Sequence, residues 1–272
     1  MSTEWDIERL DLDAYLERIG YGGDRQPTGR TLAMLHRAHV DAIAFENLDV
    51  VLGRVVSVDL DDVQAKLVAR GRGGYCYEHN VLFAAVLERL GYRVERFLAR
   101  IGADYDRPRP RTHMTLHVHA GDQSWLADVG FGAGLLEPLP WGESGPHHQG
   151  GWACQLTADG GVWQVRGRDR QGWTVLYSFT EEVQHLSDVV MSNHFTSTHP
   201  DSPFVAQIVV MRKDSEQRRQ LQGRRLRVTG ADWATDEREL TDPELRDALR
   251  ADFGIQLNDD EIAALIASLS PP

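Results

Sequence analysis

The sequence predicts an α+β protein in which a helical segment, a strand-rich segment and a mixed segment follow one another. Three observations carry that prediction. Roughly the first 90 residues place apolar side chains at helical spacing between helix start and stop signals. From Tyr92 the apolar period falls to two, in short runs separated by Gly, Asp and Pro. The remainder mixes both patterns. The divisions fall near residue 91 and near 195–200, where Ser197-Thr198-His199-Pro200 breaks the pattern, giving segments 1–91, 92–196 and 197–272.

In the first segment, helices are expected at 10–19, 28–42, 59–69 and 75–90. Thr28 and Asp59 are suited to N-caps, because a short side-chain oxygen accepts from the free amides of a first turn. Gly91 follows Leu90, where a left-handed residue ends a helix. In the last of these helices Val81, Leu82, Ala85, Val86, Leu87 and Leu90 make a broad apolar face, so it is expected at the centre of the fold. Strands are expected at 93–101, 111–119, 124–129, 151–157, 162–167 and 173–179, forming a sheet or barrel. A helix at 181–193, strands at 204–212 and 224–229, and helices at 243–253 and 259–269 complete the chain.

Composition narrows the function. With 272 residues, 42% hydrophobic and 26% charged, the chain is an ordinary folded protein large enough to enclose a site. A formal charge of −12 argues against general nucleic-acid binding, which needs a basic surface, but leaves room for a phosphate-bearing ligand held by a few amides and local cations. No apolar stretch approaches the roughly 18 residues of a membrane span. The two cysteines, Cys76 and Cys154, and an N-terminus without basic and apolar signal regions point to a cytoplasmic protein with free thiols. Composition supports a monomer or small homo-oligomer.

The chemistry concentrates in Arg72-Gly73-Gly74-Tyr75-Cys76-Tyr77-Glu78-His79-Asn80, where two glycines lead into a helix with cysteine in its first turn. Free amides and the helix dipole favour a thiolate there, lowering the thiol pKa below its ordinary value of about 8.5. A small buried core residue is the alternative reading of Cys76. A cysteine nucleophile needs a base and a group to orient that base. In Arg111-Thr112-His113-Met114-Thr115-Leu116-His117-Val118-His119 the alternation puts Met114, Leu116 and Val118 on one face. His113 is then expected to point away from the packed side.

Gly121-Asp122 suits a two-residue hairpin turn with glycine first. Pairing Ala120 with Gln123 sets Asp128 opposite Thr115 and diagonal to His113 on the same face, where a carboxylate fixes the imidazole tautomer. His113, His117 and His119 share that face, but a strand rise of about 3.3 Å separates His113 from His117 by about 13 Å, too far for one ion. His117 and His119 alone could chelate; no metal is expected.

Asp128-Val129-Gly130-Phe131-Gly132-Ala133-Gly134 is not a dinucleotide fingerprint, since no long helix follows it; it reads as a ligand loop or a plain turn. The cluster Arg218, Arg219, Arg224, Arg225 and Arg227 could meet the phosphates of a ligand, but reads as a solvated surface before that.

Together these residues resemble the arylamine N-acetyltransferases, most closely the actinobacterial ones. The resemblance spans nearly the whole chain: Phe45-Glu46-Asn47-Leu48-Asp49, the Arg72 to Asn80 run, Thr112-His113, Asp128-Val129-Gly130-Phe131-Gly132, and Ser197-Thr198-His199-Pro200 with Phe204. It implies a cysteine-protease-like three-domain architecture of helical bundle, β-barrel and α/β lid. It also implies ping-pong transfer from acetyl-CoA, as acyl donor, to an aromatic amine, with Cys76, His113 and Asp128 as catalytic triad. Thr112, Phe131 and Gly132 would meet the acyl donor, and Phe45, Phe131 and Phe204 would wall the arylamine ring. Ala44 departs from the family pattern, which usually has proline there, and puts the local loop shape in question. A hydrolase with the same triad, a macrolactam-forming amide synthase and a catalytically silent binding module are the rival readings.

Overall fold

The computed structural model describes residues 4–102, 108–143 and 145–269. The helices of the first segment form as Leu12–Arg18, Gly29–Ala42, Leu60–Gln64 continued by the wider turns of Ala65–Ala69, and Cys76–Arg89. Their start signals act as the sequence predicts. Thr28 Oγ1 accepts from Thr31 N at 3.1 Å, and Asp59 Oδ1 from Asp61 N at 3.1 Å. The helix Cys76–Arg89 is buried from Cys76 through Leu87, polar residues included, so it is the central post of the molecule rather than an amphipathic surface helix.

Strands Arg93–Ile101 and Arg111–Ala120 lie against that helix and belong to an eight-stranded antiparallel sheet. Its order is Leu139–Pro140, Gln123–Ala127, Arg111–Ala120, Arg93–Ile101, Gly172–Phe179, Val162–Asp169, Trp152–Asp159 and His147–Gln149. The strand Leu139–Pro140 at one edge comes round to meet Trp152–Asp159, nearly closing a barrel. The hairpin register is the predicted one: Ala120 pairs with Gln123 and Leu116 with Ala127, around Gly121 at φ 63°. The second strand stops at Ala127, two residues earlier than predicted, which leaves Asp128 just past the ladder.

One expectation needs correcting. Both faces of Arg111–Ala120 are packed, because the sheet curls. Met114, Leu116 and Val118 join the core around the central helix, while His113, Thr115 and His117 point into the barrel and are also buried. Alternation correctly separated the faces, yet the polar one is a second interior.

A second antiparallel sheet runs Phe45–Glu46, Val209–Lys213, Gln217–Gln222, Arg225–Gly230, Thr235–Glu239. Helices Asp242–Ala251 and Asp259–Ala267 cover it through Leu221, Leu226, Leu245, Leu249, Phe253 and Leu265. The N-terminal segment thus lends its short strand to the C-terminal sheet. The helix predicted at 181–193 forms instead at Leu186–Thr198 and runs through Ser197, the position where the pattern break suggested a division. Residues 203–206 are helical rather than extended, since Ser202 caps Phe204 N at 3.3 Å and Pro203 occupies the first turn. Among the described residues, no helix is long and apolar enough to cross a membrane.

Candidate active site

Cys76 is the first residue of the central helix, and Tyr75 caps it. Glu78, three residues beyond the cap, accepts from Tyr75 N at 3.0 Å and from Lys66 Nζ at 2.8 Å. Lys66 also reaches Asp49 at 2.8 Å, while Arg72 donates to Glu46 at 2.8 Å. These buried pairs fix the turn that presents the thiol. Burial pushes the Glu78 carboxyl up to about 7, while surrounding carboxylates hold Lys66 charged in spite of its burial.

The Cys76 thiol donates to the Thr112 carbonyl at 3.6 Å. Burial, and then the Asp128 carboxylate, push its pKa well up, outweighing the amides of Met114 and Tyr77 that work in the opposite direction. The sequence expectation of a lowered thiol pKa is therefore wrong for this state. The first-turn position is as predicted, but the sulfur is almost wholly buried, and burial opposes the charged form. It needs a base.

His113 Nε2 donates to Asp128 Oδ2 at 2.6 Å, with both side chains buried. That bond leaves Nδ1 with a lone pair, the tautomer being assigned from its partner. Asp128 Oδ1 accepts from Asn80 Nδ2 at 3.0 Å and Gly130 N at 2.9 Å. Burial would raise the Asp128 carboxyl, but His113, Asn80 and Tyr177 together bring it below the usual carboxylate range. The aspartate is thus ionised and fully partnered. His36 Nε2 accepts from Asp128 N at 3.2 Å, and its Nδ1 meets the Leu136 carbonyl at 3.1 Å. Phe131 and Tyr177 pack on the His113 ring with centroids 5.1 and 4.7 Å away.

Cys76 and His113 open on a cavity of about 650 Å³, whose walls include Thr112, Phe45, Phe131 and Phe204. The three predicted aromatic residues therefore share one cavity, with the Phe45 and Phe204 rings 5.7 Å apart. Gly132 is not among the lining residues. It stands behind the wall at φ 77°, where a β-carbon would meet Met211 Sδ at 2.9 Å and the Phe45 ring at 3.1 Å. Gly130 does line the cavity, and a β-carbon there would meet the Cys76 carbonyl oxygen and Asn80 Nδ2, each at 2.7 Å. Ala44, the departure from the family pattern, is buried, and its carbonyl meets His79 Nε2 at 3.3 Å.

The arginine cluster divides. Arg219, Arg224, Arg225 and Arg227 are paired with Asp214, Asp242, Glu239 and Glu237, whereas Arg218 lies over the Trp152 ring and lines the cavity together with Arg109. The histidines of the barrel strand do not converge either: His113 meets Asp128, while His117 and His119 gather with Glu95 further along.

The N-acetyltransferase family model matches residues 30–262. The arylamine N-acetyltransferase of Mycolicibacterium smegmatis is 38% identical over 258 residues, covering 92% of this chain and 94% of its own. The chain belongs to the arylamine N-acetyltransferase family. It is an acyltransferase of that family. The solved Nocardia farcinica family member superposes with a TM-score of 0.91 at 40% identity, covering 97% of this chain and 96% of that one. The Mycobacterium marinum enzyme in complex with CoA superposes at 0.88 with 35% identity, covering 95% of this chain and 98% of that one.

In this family member, sequence reasoning overlooked Asn80. One helical turn beyond Cys76, it donates to the Met114 carbonyl at 2.7 Å as well as to Asp128, and accepts from Val129 N at 3.2 Å. Its i, i+4 relation to the cysteine was the available signal. His36 and Tyr177 were overlooked too; their sequence neighbourhoods carry no cue to Asp128.

Proposed function

We propose that this enzyme acetylates arylamines or arylhydrazines on nitrogen by a ping-pong reaction through a thioester on Cys76, with acetyl-CoA as donor. The observation that carries this reading is the oriented His113–Asp128 pair beside a buried cysteine on an aromatic-walled cavity.

Each residue then has a role. Cys76 gives its proton to His113 Nδ1, and Asp128 stabilises the imidazolium. The sulfur attacks the thioester carbonyl, the bond to the CoA sulfur breaks, and that sulfur leaves with the proton from His113. The amine nitrogen next attacks acetyl-Cys76, passes a proton to His113, and the thiol is restored. An aromatic amine suits this second half because it is largely unprotonated near neutral pH, whereas an aliphatic amine is mostly charged. Phe45, Phe131 and Phe204 supply ring-stacking surface for the acceptor. Thr112 and Phe131 flank the incoming acyl group, with Gly132 shaping the wall from behind. Arg109 and Arg218 supply local positive charge for CoA phosphates on an otherwise acidic protein. Both cysteines are free thiols, in keeping with a reducing cytoplasm.

The test is mass spectrometry after brief exposure to acetyl-CoA. One acetyl group on Cys76, lost on addition of an arylamine, is the expected result. Release of free acetate at the same rate with and without the amine would make the enzyme a hydrolase.

A further inference from the structure

We propose that Glu95, His117 and His119 form a binding site for a borderline divalent transition-metal ion, with Zn²⁺ as its natural probe, at the end of the barrel strand remote from Cys76. His117 and His119 are two apart on one face of Arg111–Ala120, and Glu95 is the cross-strand partner of His117. The site thus comes from sheet register on two paired strands. From His113 to His119 the strand runs about 20 Å at its usual rise, so the triad and this cluster are separate.

Two of the three donor atoms share a hydrogen bond, and the third stands near them without one. His117 Nδ1 lies 3.1 Å from Glu95 Oε2, and His119 Nε2 lies 3.8 Å from the same oxygen. Zinc–ligand bonds of about 2.1 Å give ligand separations of about 3.4 Å in a tetrahedron, between those two distances. One ligand atom from each of the three side chains lies within 4.8 Å of the others, and rotation of the partly exposed His119 closes the remaining gap. His119 Nε2 is buried without a hydrogen-bond partner, and so is Nε2 of His117, whose side chain is 9% exposed. A buried His119 nitrogen left unpartnered 3.8 Å from a carboxylate is costly unless something joins them, whereas the unpartnered Nε2 of His117 is not the atom that meets Glu95.

The charges around the cluster leave that carboxylate oxygen available. Arg93 pairs with Glu95 Oε1, the other oxygen, and the Glu181 carboxylate acts on the His117 ring. Trp141 stacks on His117 with centroids 3.9 Å apart, holding the imidazole in plane. Binding at His117 Nδ1 moves that ring's proton to Nε2, so the ligand stays a neutral imidazole and the two strands become cross-linked. Two imidazoles and one carboxylate leave a fourth position for water.

The test titrates Zn²⁺ calorimetrically into the full chain carrying Cys76→Ser, which removes the cavity thiol as a competing ligand. One equivalent should bind, with a rise in the unfolding midpoint that saturates at that equivalent. Separate His119→Ala and Glu95→Gln variants should each bind at least tenfold more weakly and lose the midpoint rise. Near-ultraviolet circular dichroism checks that both remain folded, and Glu95→Gln decides the matter if His119→Ala does not. Co²⁺ should give tetrahedral visible bands in the parent and not in the variants. Absence of Zn²⁺ binding at micromolar concentration overturns the proposal, as does binding that neither variant alters, which would send the ion to other histidines.

Discussion

The strand Arg111–Ala120 carries two imidazole–carboxylate pairs on one face, and they differ in what completes the carboxylate. Asp128, 1% exposed, meets His113 at 2.6 Å and has its other oxygen filled by Asn80 and Gly130. Glu95, with its side chain 22% exposed, meets His117 at 3.1 Å and shares its other oxygen with Arg93, an exposed surface cation. Burial works against both carboxylates, and in both the neighbouring donors win, so both lie below their ordinary pKa. An imidazole and a carboxylate therefore make a closed, fully partnered pair where fixed donors fill the second carboxylate oxygen. They make an open cluster where two ring nitrogens, Nε2 of His117 and of His119, are left without a partner.

The largest effect expected from breaking this contrast is on the closed pair. Asp128→Asn keeps the shape but can present its amide N–H to His113, favouring the wrong tautomer. By the cost of that error in other triads, acetyl transfer should fall about 10⁴-fold. Steady-state rates with a fixed arylamine would check this; a loss under tenfold would remove Asp128 from the orienting role. Asn80→Ala comes next. It strips Asp128 Oδ1, the Met114 carbonyl and Val129 N of a partner in a buried site, and each orphaned group costs about 1–3 kcal/mol. Partial compensation within the cluster makes a net loss of about 3 kcal/mol the expectation, read from urea unfolding.

How the site could be read from sequence follows the same division. The hairpin that brings Asp128 to His113 was legible because turn chemistry and alternation both act within a few residues. Asn80 was not, because its three partners come from residues 114, 128 and 129, brought to it only by the packing of helix against sheet. The lowered thiol pKa was misread because helix position is a local property, whereas desolvation of Cys76 belongs to the whole assembly. In the second sheet, Gln217–Gln222 and Thr235–Glu239 read Gln-Arg-Arg-Gln-Leu-Gln and Thr-Asp-Glu-Arg-Glu. With almost no apolar alternation they gave no strand signal; their pairing rests on backbone bonds and cross-strand ion pairs such as Arg227–Glu237.

A further set of imidazoles sharpens the contrast by having no carboxylate partner. Tyr15 OH, His39 and His79 form a chain with bonds of 2.8 and 2.8 Å that ends on the Gly74 carbonyl at 3.0 Å. If His79 Nε2 donates to that carbonyl, each ring accepts on Nδ1 and donates from Nε2, so the chain is satisfied with both rings neutral. Burial lowers His36 and His79 to about 4 and His39 well below its ordinary value. These rings stay neutral in the fold but take protons in the unfolded chain at about pH 6.5. Stability is then complete above pH 6.5 and falls as pH drops toward 4, by about 1.4 kcal/mol per pH unit for each ring. Urea unfolding at pH 7, 6 and 5 would check this, and a flat profile would show that the rings are charged in the native state.

The smallest expected effect belongs to the open pair. Glu95→Gln removes a carboxylate that is partly exposed, whose ion pair with Arg93 is screened by solvent, and whose contact with His117 can be replaced by the amide oxygen. Exposed pairs of this kind contribute about 0–1 kcal/mol, so the change without added metal should stay below about 1 kcal/mol and shrink as salt rises. Unfolding at low and high ionic strength, with chelator present, would measure it. A loss comparable to that of Asn80→Ala would mean that the Glu95 carboxylate is as fully enclosed as Asp128, and the two ends of the strand would then differ in sequence but not in kind.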